Sequence, residues 1–149
     1  MLHGRRVLLG VSGGIAAYKS VYLARRLQEA GAEVRVVMTA GATRFVGPQS
    51  FAAVTGRMPL TDLFSQPASV SPHTELARWA ELVIVAPATA ATIGRLANGI
   101  SSEVLSATLL ATRAPVLVAP AMHTEMWEHP ATSRNIARLV SDGHRLVGP

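Results

Sequence analysis

Two five-residue runs with no polar side chain, 82–86 (Leu-Val-Ile-Val-Ala) and 115–119 (Pro-Val-Leu-Val-Ala), each followed by Pro-Ala, constrain this chain more than any other feature. A strand that is apolar on both faces has to be covered on both, as the central strands of a parallel sheet are when helices lie on either side. Earlier in the chain, 6–11 (Arg-Val-Leu-Leu-Gly-Val) is a third such run, closed by Ser12-Gly13-Gly14. Ala16, Ala17, Leu23, Ala24 and Leu27 then recur at helical spacing until Gly31, which reads as strand, glycine turn, helix. Residues 33–38 (Glu-Val-Arg-Val-Val-Met) repeat the strand pattern, and a short helical stretch follows through Phe45. Two strands joined by a helix of this length imply a right-handed parallel crossover. Residues 92–111 read as helix with a break near Asn98-Gly99, 132–142 as an amphipathic helix, and 144–147 as a fifth strand. The expected fold is a doubly wound, Rossmann- or flavodoxin-like parallel sheet of about five strands in a single α/β domain over 1–149. Residues 58–72, with Pro59, Pro67 and Pro72 among polar residues, have no period and read as a loop over one edge.

The makeup of the chain narrows what such a sheet can do. There is no cysteine, which removes disulfides, thiolate metal sites and thiol nucleophiles together, so redox chemistry has to come from a bound cofactor. Hydrophobic residues make up 49% and charged residues 15%, apolar for a monomer that must cover itself in water, so oligomerisation is expected. No apolar run approaches the ~20 residues of a membrane span, and residues 1–6 lead straight into a strand rather than a signal-peptide core, so a cytoplasmic protein is expected. The net charge is +5, but the arginines stand singly or in pairs with no interleaved aromatics. Solvated faces and anionic small-molecule sites explain that pattern better than nucleic acid.

Ligands of doubly wound sheets bind at the carboxyl ends of the strands, and the polar residues gather there: Ser12-Gly13-Gly14, Thr39, Thr89 and Thr92, and Met122-His123. The first turn offers backbone N–H groups at a helix N-terminus to a phosphate. It is not the dinucleotide fingerprint, because Ser12 occupies the second glycine position, where a hydroxyl is itself able to donate to a phosphate. Nor does an acidic residue follow the second strand to hold an adenosine ribose; Thr39 stands there. A mononucleotide fits better than a dinucleotide. The alternative is a glycine turn that only packs helix on sheet, with Thr39 and Thr89 as helix caps.

His73 stands where the long loop turns into a helix starting near Pro72, and a histidine there can serve as a base in neutral solution. An exposed histidine without chemistry is the alternative reading. Residues 120–127 (Pro-Ala-Met-His-Thr-Glu-Met-Trp) are the most specific string in the chain. An aromatic, two methionines and His123 in one turn suit a flat polarizable ring and a substrate carboxylate, although Met126 and Trp127 also suit a core or an interface. His129, beside Pro130, reads as structural. No carboxylate or second histidine stands at ligand spacing with His73, His123 or His129, so no metal is expected.

These strings resemble the homo-oligomeric flavin-containing cysteine decarboxylases, over nearly the whole chain. Residues 10–19 (Gly-Val-Ser-Gly-Gly-Ile-Ala-Ala-Tyr-Lys) are similar to the opening of the coenzyme A branch rather than the peptide-maturation branch. Val37-Met38-Thr39 with Phe45 resembles the second flavin segment, and 86–99 the third. The resemblance implies flavin mononucleotide (FMN) as cofactor, held by Ser12, Gly13, Gly14 and Ile15, by Thr39 and Phe45, by Thr89, Ala90, Ala91 and Thr92, and by Ser102 and Met122. It implies His73 as the catalytic base and Ala121, Met122 and His123 as substrate-binding residues. The family pattern Pro-x-Met-Asn-x-x-Met-Trp has an asparagine for the substrate carboxylate where this chain has His123. The coenzyme A branch also carries a lid cysteine beyond the equivalent of Gly148-Pro149. With no cysteine, the sequence either stops short of the lid, beyond which a ligase domain would also lie if there is one, or belongs to a form that works without the cysteine.

The reaction so implied is decarboxylation of 4'-phosphopantothenoylcysteine to 4'-phosphopantetheine. A carboxylate on the Cα of a cysteine amide leaves poorly without an electron sink, and oxidation of the neighbouring CH2–SH to a thioaldehyde by flavin supplies one, with an enethiolate as the product of CO2 loss. A homo-oligomer, a trimer or a dodecamer of trimers, is implied with it. The alternatives are oxidative decarboxylation of a peptide's C-terminal cysteine and a regulatory or prenyl-flavin-forming flavoprotein of the same fold; Met122 and Trp127 weigh against the last.

Overall fold

The computed structural model describes residues 1–64 and 70–148. Five parallel strands form its centre: β1 (Arg6–Val11), β2 (Glu33–Met38), β3 (Leu82–Ala88), β4 (Val116–Pro120) and β5 (Arg145–Leu146). Their spatial order is β2-β1-β3-β4-β5. The chain leaves β1 in one direction to make β2 and then returns past it to make β3, so the switch point of the topology lies between β1 and β3. In sheets of this kind the crevice at the carboxyl ends of those two strands takes the ligand.

The helices sort onto the two faces by what they bury. On one face α1 (Tyr18–Glu29), entered through a 3-10 turn over Ile15–Ala17, and α2 (Pro48–Thr55) pack Ala17, Ala24 and Phe51 against Val7, Leu9, Val11, Val34, Val36 and Met38. On the other, α3 (Pro72–Trp79), α4 (Ala90–Asn98), α5 (Val104–Ala111) and α7 (Pro130–Ser141) bring Leu76, Ile93, Leu105 and Leu139 onto Leu8, Val83, Val85, Val116 and Val118. A short helix, α6 (Thr124–Trp127), lies between β4 and α7. Each fully buried Leu or Ile contributes about 1.5–3 kcal/mol over exposure, and the alternation along β1 serves both layers. Gly10 within β1 leaves room for Leu105: a Cβ there would stand 2.6 Å from a Leu105 methyl.

The doubly wound sheet, the parallel crossovers and the break in the 92–111 helix agree with the sequence reading. Gly99 ends α4 in the left-handed conformation (φ 65°), which is why Asn98-Gly99 interrupts the pattern. Two features correct it. Residues 48–55 form a helix that the sequence reading left out, entered by Pro48 at its first position and ended by Gly56 (φ 79°). The 58–72 stretch is not wholly loop: Leu60 pairs with Val37 as an isolated parallel bridge, donating its N–H to Val36 O and accepting from Met38 N–H. Residues 65–69 of that stretch, Pro67 included, and Pro149 lie outside the described residues. Among the described residues no helix is long and apolar enough to cross a membrane.

Candidate active site

The carboxyl ends of β1 and β3 are joined by one side chain. Ser12 is buried; its Oγ donates to Pro87 O at 2.6 Å and accepts from the Thr89 N–H at 2.9 Å, while its own N–H donates to Pro87 O at 3.2 Å. The hydroxyl that the sequence offered to a phosphate is therefore already engaged within the protein. Its proton is directed at a carbonyl 75 residues away in the chain.

What the turn does present is backbone. Among the described residues the N–H groups of Gly13, Ile15 and Ala16 make no hydrogen bond within the chain, at the start of a 3-10 turn that runs directly into α1. At α4, Thr89 is the N-cap, its Oγ1 accepting from Thr92 N–H at 3.3 Å, and the N–H groups of Ala90 and Ala91 are left without a partner. A Cβ on Gly14 would lie 3.6 Å from the Thr89 methyl, so the two helix starts converge. Two helix N-termini with orphan donors at a switch point form a cradle for an anion. Gly13 approaches the loop after β2 so closely that a Cβ would stand 2.8 Å from Gly41 C. Thr39, buried beside it, accepts the Ala42 N–H on Oγ1 at 3.1 Å. Thr89 thus caps α4, while Thr39 holds the first N–H of the 3-10 turn at Ala42–Arg44 from two residues before its N-cap, Gly41. Gly41 is the residue that sequence reasoning missed here. Its signal was a glycine shortly after each of two adjacent strands.

Among the described residues, the side chains of the remaining candidates make no hydrogen bond to this cradle. Phe45 closes the 3-10 turn at Ala42–Arg44 with half its surface exposed, and Ser102 is exposed in the α4–α5 connection. Ala121 donates its N–H to Ala88 O at 3.0 Å, tying the exit of β4 to that of β3, and Met122 packs on the core under the site. His123 is the N-cap of α6; its carbonyl accepts the Met126 and Trp127 N–H groups, and its imidazole is exposed and makes no capping bond. His129 caps α7 by accepting the Ala131 N–H on Nδ1 at 3.0 Å, as its structural reading implied.

His73 lies in the first turn of α3, behind Pro72. Because α3 runs antiparallel to the strand it feeds, its N-terminus lies at the carboxyl end of the sheet. Nδ1 of His73 is buried and has no hydrogen-bond partner among the described residues. A buried nitrogen left unpaired costs about 1–3 kcal/mol, and buried polar atoms otherwise find partners.

The flavoprotein family model matches residues 1–149. This chain belongs to the flavoprotein family. The coenzyme A biosynthesis bifunctional protein CoaBC of Bacillus subtilis is 52% identical to this flavoprotein over 150 residues, covering 100% of the chain and 37% of that relative. CoaBC of Mycobacterium tuberculosis is 50% identical over 145 residues, covering 97% and 34%. The chain thus spans about a third of the length of the curated relatives it matches. Among solved structures, the FMN-dependent cysteine decarboxylase SpaF superposes with a TM-score of 0.95 at 38% identity, covering 100% of this flavoprotein and 86% of that chain. A PPC decarboxylase mutant complexed with pantothenoylaminoethenethiol superposes with a TM-score of 0.85 at 33% identity, covering 97% and 82%.

Proposed function

We propose that residues 1–149 form an FMN-binding domain that decarboxylates 4'-phosphopantothenoylcysteine to 4'-phosphopantetheine. The observation that carries the reading is the buried, unpartnered Nδ1 of His73 at the ligand-binding end of the sheet, in a chain 52% identical to a CoaBC protein over its whole length. An imidazole held with an open nitrogen at that end is placed for a proton on a ligand, whereas a histidine with a merely structural task would have its nitrogen bonded, as His129 has.

The residues present fit a flavin mononucleotide. Its phosphate suits the orphan N–H groups of Gly13, Ile15 and Ala16, with those of Ala90 and Ala91 beside them, and the close Gly13–Gly41 packing keeps side chains out of the turn. Thr39 and Phe45 border the space for the ring, and Met122 supplies a polarizable floor. A flavin held there would supply a reversible two-electron store: oxidation of the substrate CH2–SH group would create the electron sink for CO2 loss, and return of the two electrons with a proton would reduce the enethiolate to the 4'-phosphopantetheine thiol. His73 takes the thiol proton, and the exposed His123 imidazole donates a hydrogen bond to the substrate carboxylate.

A homo-oligomer, a trimer or a dodecamer of trimers, belongs to the same reading. Ile15, Tyr18 and Tyr22 form an outward ridge along the start of α1, 81%, 62% and 64% exposed. On the same side of the sheet Leu82, Ile84 and Ala86 of β3 are only partly covered.

The test is CO2 release by the FMN-loaded chain from 4'-phosphopantothenoylcysteine and from a peptide with a C-terminal cysteine, side by side. Release from the first substrate is expected. Release from the peptide alone would replace this reading with peptide decarboxylation, and FMN binding without release from either would favour a regulatory flavoprotein.

A further inference from the structure

We propose that the cleft at the amino-terminal end of the sheet, between α3 and α5, is a second ligand site that binds a small organic molecule carrying a phosphate or pyrophosphate group. The cleft has a volume of about 830 Å³, in the range of small-molecule sites and too large for an inorganic phosphate to fill. Ala77, Ala80, Ala111 and Ala114 form its floor, so no bulky side chain occupies the space where the two helices end. Arg78 and Thr74 from α3, Glu81 and, after α5, Arg113 complete its lining.

Both guanidiniums are free. Among the described residues neither makes an ion pair or a hydrogen bond. An arginine near a helix C-terminus often caps the last carbonyls, but three of those at the end of α3 are already taken: Leu76 O by Ala80 N–H at 3.1 Å, Ala77 O by the Thr112 hydroxyl at 3.0 Å and Trp79 O by Arg6 Nε at 2.7 Å. The carboxylate at the cleft, Glu81, is likewise occupied, by Arg6 N–H at 3.0 Å and by Arg5 Nη1 at 3.3 Å. Two unpaired guanidinium forks lining one cleft, with the local carboxylate already engaged by Arg5 and Arg6, favour an anion with several acceptor oxygens, which arginine binds in bidentate fashion. The alanine floor takes the apolar remainder of the molecule. The site lies at the end of the sheet away from the flavin cradle and shares α3 with His73, so a ligand there bears on the helix that holds that imidazole.

The test is isothermal titration calorimetry of the FMN-loaded chain, in which the phosphate cradle of the first site is filled, with orthophosphate, pyrophosphate and adenosine diphosphate at moderate salt. One site per chain is expected for the two diphosphates, with orthophosphate at least tenfold weaker. Arg113→Gln should weaken diphosphate binding at least tenfold, and Arg25→Gln, on the outer face of α1, should leave it unchanged. Ala111→Leu, which keeps every charge and narrows the cleft, should selectively weaken adenosine diphosphate. Absence of saturable heat with all three probes, or equal loss in Arg113→Gln and Arg25→Gln, would overturn the proposal, since the second result describes a general response to positive charge.

Discussion

The Thr89 N–H donates to Ser12 Oγ at 2.9 Å, and through that bond the end of β1 holds the start of α4. Both strand ends that form the switch point are thereby locked to one hydroxyl. Ser12→Ala leaves the Thr89 N–H without its partner and removes the Oγ donor to Pro87 O in a buried place, at a cost of about 2 kcal/mol. We expect a lower denaturation midpoint together with weaker FMN retention, measured on the same preparation by chemical unfolding and by flavin absorbance. A drop in stability with flavin binding unchanged would show that the two helix starts do not need this bond to present their N–H groups.

Gly13 and Gly41 meet backbone to backbone. Gly13→Ala places a Cβ 2.8 Å from Gly41 C, where no flexible side chain can give way. The turn has to shift, at about 1–3 kcal/mol for overpacking, and the first cradle shifts with it. Loss of bound FMN should exceed that of Gly10→Ala, whose Cβ meets only a Leu105 methyl; comparing flavin content of the two variants checks this.

His73→Asn retains an amide donor and acceptor but no titratable group. The variant should fold and bind FMN as the parent does, while CO2 release falls by roughly 10²–10⁴, the range for a lost general base. A variant with more than a tenth of parental turnover would remove His73 from catalysis.

At position 123 the imidazole is exposed and free of capping duty, so His123→Asn should be tolerated structurally. If the imidazole donates to the substrate carboxylate, the asparagine variant keeps turnover within about tenfold, since an amide donor loses only the charge-assisted part of the bond. A loss of turnover beyond a hundredfold with FMN retained would assign the residue another role.

Glu81 is a source of pH-dependent stability at the amino-terminal end of the sheet. Its carboxyl is held below the ordinary carboxylate range, first by the Arg6 backbone N–H, then by the charges of Arg6 and Arg5, against an opposing effect of burial. A carboxylate with a depressed folded-state pKa stabilises the fold fully above its unfolded pKa, and that contribution disappears as pH falls through the folded value. Glu81→Gln should therefore be less stable than the parent at neutral pH and converge with it in acid. A stability difference that stays constant down to the acid limit would contradict the assignment.

The fold was legible because burial on both faces leaves a one-dimensional trace. The runs at 82–86 and 115–119, the glycine turn after β1 and the left-handed Gly99 between α4 and α5 each mark an element through local composition. The helix Pro48–Thr55 left little trace: it is eight residues long, has one fully buried side chain, Phe51, and packs against α1 and β2, contacts that no local pattern of the sequence announces. The site divides in the same way. The clustering of Ser12, Thr39, Thr89 and Met122 at strand ends follows from element order alone, and so does the position of His73 at a helix start.

What the sequence by itself determined was the set of elements and the end of the sheet at which polar groups collect, because apolar periodicity and turn chemistry act over a few residues. Tertiary structure alone decided the strand order β2-β1-β3-β4-β5, the binding of the Ser12 hydroxyl to a carbonyl 75 residues away, the Gly13–Gly41 approach and the unpaired Nδ1 of His73. Each of these depends on which distant groups come within about 3 Å, the reach of a hydrogen bond, and that distance is set by packing rather than by spacing along the chain.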